Sequence, residues 1–178
     1  YFQKLITWSA VTSGLFSCRY VSGGSIFDSG GSSISVGKDA FYILALLNSK
    51  IGQYYLDISN ATINYQPGDI AGIPVIKRDA EIIDSSVSMI VDISKSEYDE
   101  FETSWDFVRH PLVPSTMEKQ EQLRSQFANS RMEKFGRLSW HFDNWSNECN
   151  YRFSNLKANE EELNQIFIDI YGLQDELT

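Results

Sequence analysis

The first third of the chain consists of short apolar and aromatic runs separated by glycine and serine. In "KLITWSAVTSGLFSCRYVSGGSIFDSGGSSISVG" the breaks are "SG", "SGG" and "DSGG". The Ile, Val, Thr, Phe, Tyr and Trp between them suit a pleated, half-buried surface, and glycine supplies the positive φ of tight turns. This pattern predicts strands near Leu5–Trp8, Phe16–Tyr20, Ser25–Phe27 and Ser33–Val36. The period then changes. Phe41, Leu44, Leu47, Ile51, Tyr54 or Tyr55 and Ile58 recur at three- and four-residue steps, which predicts one helix capped by Asp39 and running through Ser59. "NATINYQPGDIAGIPVI" follows, read as a strand, a Pro-Gly turn and a second short strand ending near Ile76.

Beyond Asp79 the texture is helical and polar. Ile82, Ile83, Val87, Ile90 and Val91 have helical spacing, and "SEYDEFETSWDFVRHPLVP" is aromatic, acidic and irregular, with His110-Pro111 and Pro114 breaking any helix. Ser115 to Glu118 reads as a capping box opening a long polar helix toward Asn150. A second box, Asn159 to Glu162, opens "EEELNQIFIDIYG", with Leu163, Ile166, Phe167 and Ile170 as its apolar stripe and Gly172 closing the end. No internal repeat is visible. The expected fold is α+β: a small mixed β-sheet with a packed helix over residues 1–78, then a mostly helical C-terminal region over residues 79–178.

Charge sharpens this division. The net charge is -9 over 178 residues, yet residues 1–78 hold six basic and four acidic side chains, a balance of +2. Residues 79–178 hold nine basic and twenty acidic ones, a balance of -11. Contact with nucleic acid is therefore expected in the first half, and contact with protein or solvent in the second. The chain opens on Tyr1 rather than Met, as a segment of a longer protein would. No run approaches the roughly 18 apolar residues of a membrane span, so no membrane partner is expected. Cys18 and Cys149 are the only cysteines, distant in sequence, which fits buried free thiols and a cytoplasmic location.

Candidate chemistry is mostly negative. "SGGSIFDSGG" lacks the spacing and the following Lys-Ser/Thr of a phosphate-binding loop, and no Gly-x-Gly-x-x-Gly follows a strand. Asp92, Glu97, Asp99, Glu100, Glu102 and Asp106 are dense but lack the loop spacing of a calcium site, and His110 and His141 are too few for structural zinc. No nucleophile-elbow pattern accompanies the serines. An amino-methylating centre orders an acidic or amide residue, two prolines and an aromatic, so that a carbonyl meets the exocyclic amine of a flipped base. Here Asn64 is followed directly by Tyr65, and Pro67 comes after the aromatic, so no catalytic residue is assigned. What remains is a strand-rich, weakly basic module with polar turns. Lys4, Thr7, Arg19, Tyr20, Ser32, Asn64, Tyr65 and Gln66 are its candidate DNA-contacting residues. Tyr98, Phe101, Trp105 and Phe107 are a candidate protein-interaction anchor, with an inter-domain core as the plainer reading.

"ITWSAVTSGLFSCRY", "GSIFDSGGSSI", "YILALLNSKIGQYYLDISNATINYQPGDIAGIPVI", "SKSEYDEFETSWDF" and "LKANEEELNQIFIDIYGLQDEL" together resemble the C-terminal part of BREX-type, PglX-like, adenine-specific DNA methyltransferases of phage defence. The resemblance covers nearly the whole chain in order. Its middle block, "LLNSK" followed by "GDI" and "IPV", also looks like target-recognition domains of type I specificity subunits. The resemblance implies a target-recognition role on double-stranded DNA. It places the methyl-transfer centre and S-adenosylmethionine in an N-terminal methyltransferase domain of the same parent, so no cofactor is expected on these residues. Other phage-defence components are the further partners it implies.

Overall fold

The computed structural model describes residues 2–60, 62–113 and 138–177. Among them are a three-stranded sheet and five α-helices, an α+β arrangement. Strands β1 (Leu5–Trp8), β2 (Cys18–Val21) and β3 (Ser33–Ile34) are ordered β2-β1-β3, with both outer strands antiparallel to β1. Helices are α1 (Ala40–Asn48), α2 (Lys50–Ser59), α3 (Pro67–Ala71), α4 (Ala80–Tyr98) and α5 (Leu138–Tyr171). The chain forms two compact units, one of Tyr1–Val91 with Ala158–Thr178 and the other of Asp92–Lys157.

In the first unit the inner sheet face, Ile6, Trp8 and Cys18 with Tyr20 and Ile34, joins a core with Tyr42, Leu46, Ile51, Leu56, Ile83, Val87 and Phe167. Each such large apolar side chain, fully withdrawn from water, contributes about 1.5–3 kcal/mol. The Trp8 indole N–H donates to the Tyr65 carbonyl at 3.0 Å, so its polar edge is satisfied inside this core.

The sequence pattern predicted a strand at Ser25–Phe27, and none forms. β1 already pairs on both sides: Thr7 faces Arg19 on one and Ser33 on the other. The chain leaving β2 must cross β1 to reach β3, so it has no free ladder to join there. Residues 22–32 instead make a strap. Phe2 N donates to Ser25 O at one end, while Ala10 N donates to Gly30 O and Trp8 N to Ser32 O at the other.

The single helix expected over 39–59 is two. Ser49, with extended backbone, interrupts it, and its hydroxyl caps α2 by accepting from Gly52 N. The break shifts the helical phase, so Leu56 is buried and Ile58, expected on the apolar face, is exposed. Asp39 makes no side-chain cap bond to α1 and pairs with Lys77 instead. That contact holds its carboxyl below the usual carboxylate range.

Neither strand expected in 60–76 forms. The first shrinks to one bridge, Val11 with Asn64. Pro67 then starts the short helix α3, where the Asp69 carboxylate accepts from Gln66 N at 2.8 Å. Residues 74–78 have no regular secondary structure, and two phenols hold them in place of a partner strand. Tyr42 Oη donates to Ile76 O and accepts from Arg78 N, while Tyr171 Oη donates to Pro74 O and accepts from Ile76 N.

Helix α4 forms as its spacing predicted, burying Ile83 and Val87. The expected box at Ser115–Glu118 lies outside the described residues. The one expected to open a helix at Asn159 lies in mid-helix, since α5 is continuous from Leu138. Leu163, Phe167 and Ile168 are its buried apolar positions, and Gly172 ends it with φ 67°.

Candidate functional site

Side chains alternate across a strand, and residues paired across strands share a face. The pairings Leu5 with Val21, and Thr7 with both Arg19 and Ser33, therefore put these five residues on the outer face of the sheet, opposite α1. Arg19, Thr7 and Ser33 form a polar row across all three strands. Arg19 is exposed, and Thr7 Oγ1 donates to Ser32 O at 2.9 Å, tying the row to the strap. Ser33 Oγ is buried with no hydrogen-bond partner among protein groups. Between this face and the strap lies a cleft of about 530 Å³, lined by Leu5, Thr7, Val21, Ser25, Ile26, Phe27, Asp28 and Gly31.

The eight candidate DNA-contacting residues are not one constellation. Lys4 is exposed immediately before β1, and Arg19 and Thr7 meet in the row. Tyr20 is on the inner face with its ring edge-on to Phe41, 5.1 Å between centroids. Tyr65 is a core residue, 7% exposed and packed against Phe16, so its ring offers no stacking platform. Ser32 is buried, and its carbonyl accepts from both Trp8 N and Thr7 Oγ1. Asn64 and Gln66 are exposed and bonded to each other, Gln66 Nε2 donating to Asn64 Oδ1, inside a turn closed by Asn60, Thr62 and Asp69. Sequence reasoning missed Ser33. Its only signal was a serine at the start of a predicted strand, and strand pairing was needed to bring it beside Thr7.

In the second unit the loop after α4 is built by polar contacts. Lys95 Nζ binds the carboxylates of Asp99 and Asp106 at 2.6 Å, and Ser104 Oγ bonds Asp99 while accepting from Asp106 N. The Lys95 ammonium is thereby pushed up from its ordinary value and the Asp99 carboxyl held down. Arg152, buried, binds Glu100 at 2.7 Å, and Trp145 Nε1 donates to the other Glu100 oxygen. Of the anchor candidates, Phe101 meets the His110 ring edge-on, Tyr98 Oη donates to Thr103 O, and Phe107 is half-buried. Trp105 is wholly exposed.

No protein-family model matches the chain. Two curated relatives match along its length. The adenine-specific methyltransferase PglX of Lacticaseibacillus casei (strain Zhang) is 36% identical over 180 residues, covering 99% of this chain. The adenine-specific methyltransferase BrxX of Escherichia coli O9:H4 (strain HS) is 29% identical over 182 residues, covering all of it. This chain is a homologue of a segment of those methyltransferases. It spans 14% of the first relative and 13% of the second.

S-adenosylmethionine, which such methyltransferases use, would need an open glycine turn leading from a strand into a helix. The glycine-rich stretch here runs from β2 to β3, and its Gly30 and Gly31 N–H groups are turned onto Asp28 Oδ1. The described residues do not fit that cofactor. Among them no helix is long and apolar enough to cross a membrane.

Proposed function

We propose that this chain is the part of an adenine-specific DNA methyltransferase that selects the DNA site, with the outer sheet face as its reading surface. The observation carrying this reading is Arg19, an exposed cation paired across the strands with Thr7 on the outer face of the sheet, in the half of the chain with positive charge balance. Arginine reads guanine bidentately in the major groove, and threonine bonds either bases or phosphates. Lys4, one residue before β1, adds a phosphate contact. In this division of labour Arg19 and Thr7 hold the duplex in register while a methyltransferase domain elsewhere in the parent flips adenine and transfers the methyl group from S-adenosylmethionine to its N6. The methylated site then marks self DNA in a phage-defence system of BREX type. Tyr20, Ser32 and Tyr65 support the surface from behind, and Asn64 with Gln66 lies beyond the end of β1.

The test is a methylated-adenine map of a host genome for the full-length protein and for a chimaera in which residues 1–78 come from a relative. A switch of the methylated motif to the relative's supports the reading; an unchanged motif refutes it. Arg19→Ala is expected to weaken binding or relax one base position by roughly 1–3 kcal/mol. Binding should also collapse between 50 and 200 mM salt, as counterion release requires.

A second reading rests on Trp105. A wholly exposed tryptophan on a loop fastened by Lys95, Ser104 and Asp99 is pre-organised to fill a pocket on a protein partner such as another defence component. Association through Trp105 would depend far less on salt than DNA binding does.

A further inference from the structure

The cleft between the outer sheet face and the 22–32 strap holds about 530 Å³, within the roughly 300–1,000 Å³ of clefts that take small organic groups. Leu5 and Val21 wall it on the sheet side, and Ile26 and Phe27 on the strap side. Both ends of the strap are fastened. Phe2 N donates to Ser25 O at one end, and the Ser32 carbonyl accepts from Trp8 N and the Thr7 hydroxyl at the other. The recess is therefore formed before anything enters it, and an occupant does not have to order the strap.

Asp28 also lines the cleft. Its Oδ1 accepts from Gly30 N at 2.9 Å and from Gly31 N at 3.0 Å, which commits that oxygen to holding the turn. Oδ2 remains able to accept a further donor. Apolar walls on two sides and one such acceptor suit a flat ring that carries a single amine. Two exposed cations flank the recess: Arg19 is paired with Thr7, which lines it, and Lys4 immediately precedes Leu5. They favour an occupant that carries phosphate, so the features together describe a nucleotide. A paired base shows only an edge in the groove, whereas filling a recess between two apolar walls takes the whole ring. Guanine would bring two parallel donors and need both carboxylate oxygens, and thymine would turn carbonyls toward the carboxylate. Cytosine N4 and adenine N6 each offer a lone amine.

We propose that this cleft takes one extrahelical base of the bound duplex, a cytosine or an adenine other than the methylated one. Its ring lies between Phe27 and the sheet, and its amine donates to Asp28 Oδ2. This rests on the outer sheet face being the DNA-reading surface, with Arg19 and Lys4 keeping the flanking duplex in place. The cleft then reads one position of the site by the amine it requires there.

The experiment uses the full-length protein and duplexes bearing its methylated motif, each with an abasic site opposite one base in turn. An unpaired base costs less to extrude. Wild type should therefore bind more tightly, by roughly tenfold, when the partner is removed from the methylated adenine and from one second base. Phe27→Ala should abolish the second gain and keep the first. Asp28→Asn retains an oxygen for the Gly30 and Gly31 amides and replaces the other oxygen with a donor. In a methylated-adenine map this variant should change one motif position from cytosine or adenine to thymine or guanine, whose carbonyls accept. A gain at the methylated adenine alone, with Arg19→Ala still altering binding, overturns the extruded base and leaves the reading surface standing. Binding of dCMP or dAMP to the protein without DNA, lost in Asp28→Asn, overturns the duplex as the source of the base. If Arg19→Ala leaves binding and motif unchanged, the reading surface fails and this assignment with it.

Discussion

The side-chain amide of Asn48 pairs with the backbone of Cys18 as a neighbouring strand would: Cys18 N donates to Asn48 Oδ1 at 2.9 Å, and Asn48 Nδ2 donates to Cys18 O at 3.0 Å. Gln53 Oε1 does the same for Phe16 N at 3.1 Å. The edge of β2 is thus closed by the last residue of α1 and by a side chain of α2, and this fixes the sheet against the helices that form its core. An edge closed in this way is also protected from pairing with another chain.

Asn48→Ala should leave both Cys18 backbone groups without a partner and lower unfolding free energy by about 1–3 kcal/mol. Asn48→Asp should do no better, since its second oxygen would face the Cys18 carbonyl. Urea denaturation followed by tryptophan fluorescence reads the loss, and an unchanged midpoint for the alanine variant would show that the clamp adds no stability.

Gly52 lies where α2 folds back on the end of α1. A Cβ there would meet Leu46 O at 2.5 Å and Leu47 O at 2.7 Å, both rigid backbone atoms. Gly52→Ala should therefore cost at least about 2 kcal/mol, against any gain in helix propensity. Gly68, in α3, has open space around it, and Gly68→Ala should stay within about 0.5 kcal/mol of wild type. Thermal melts of the two variants side by side test the contrast.

Tyr42 and Tyr171 hold the 74–78 segment through complementary bonds. Tyr171→Phe should release the Ile76 amide and Tyr42→Phe the Arg78 amide, each costing about 1–2 kcal/mol. Hydrogen exchange resolved to single amides should show faster exchange at Ile76 in the first variant and at Arg78 in the second. Equal exchange in both would mean that the segment is held by other contacts.

Cys18 is buried, and burial pushes its thiol up from the ordinary 9.0 to about 12. The folded state then holds this proton more tightly than the unfolded chain does. Its contribution to stability is fully present below pH 9 and is lost as pH rises from about 9 toward 12. At pH 8 a thiol reagent should label the half-buried Cys149 first, and Cys18 only on global opening. Removing that titration with Cys18→Ala should flatten the alkaline fall in stability, whatever its cost at neutral pH.

Periodicity alone determined much of this chain. The strand at Leu5–Trp8, the helix over Ala80–Tyr98, the stripe Leu163–Phe167 and the glycine stop at Gly172 follow from local patterns of two and 3.6 residues, which depend only on neighbours in sequence. The absence of a methyl-transfer motif was equally legible, because that motif is contiguous. What tertiary structure decided depends on partners far along the chain. Ser25–Phe27 has strand chemistry but no free edge, since β1 is paired on both sides. Residues 74–78 have strand chemistry but are claimed by two tyrosine hydroxyls, one of them from a helix almost a hundred residues later. Tyr65 has the composition of a surface reader, yet its carbonyl is the acceptor that the Trp8 indole requires, so its ring is drawn into the core. Backbone groups withdrawn from water must be satisfied by something, and which group satisfies them is settled only when the chain closes on itself.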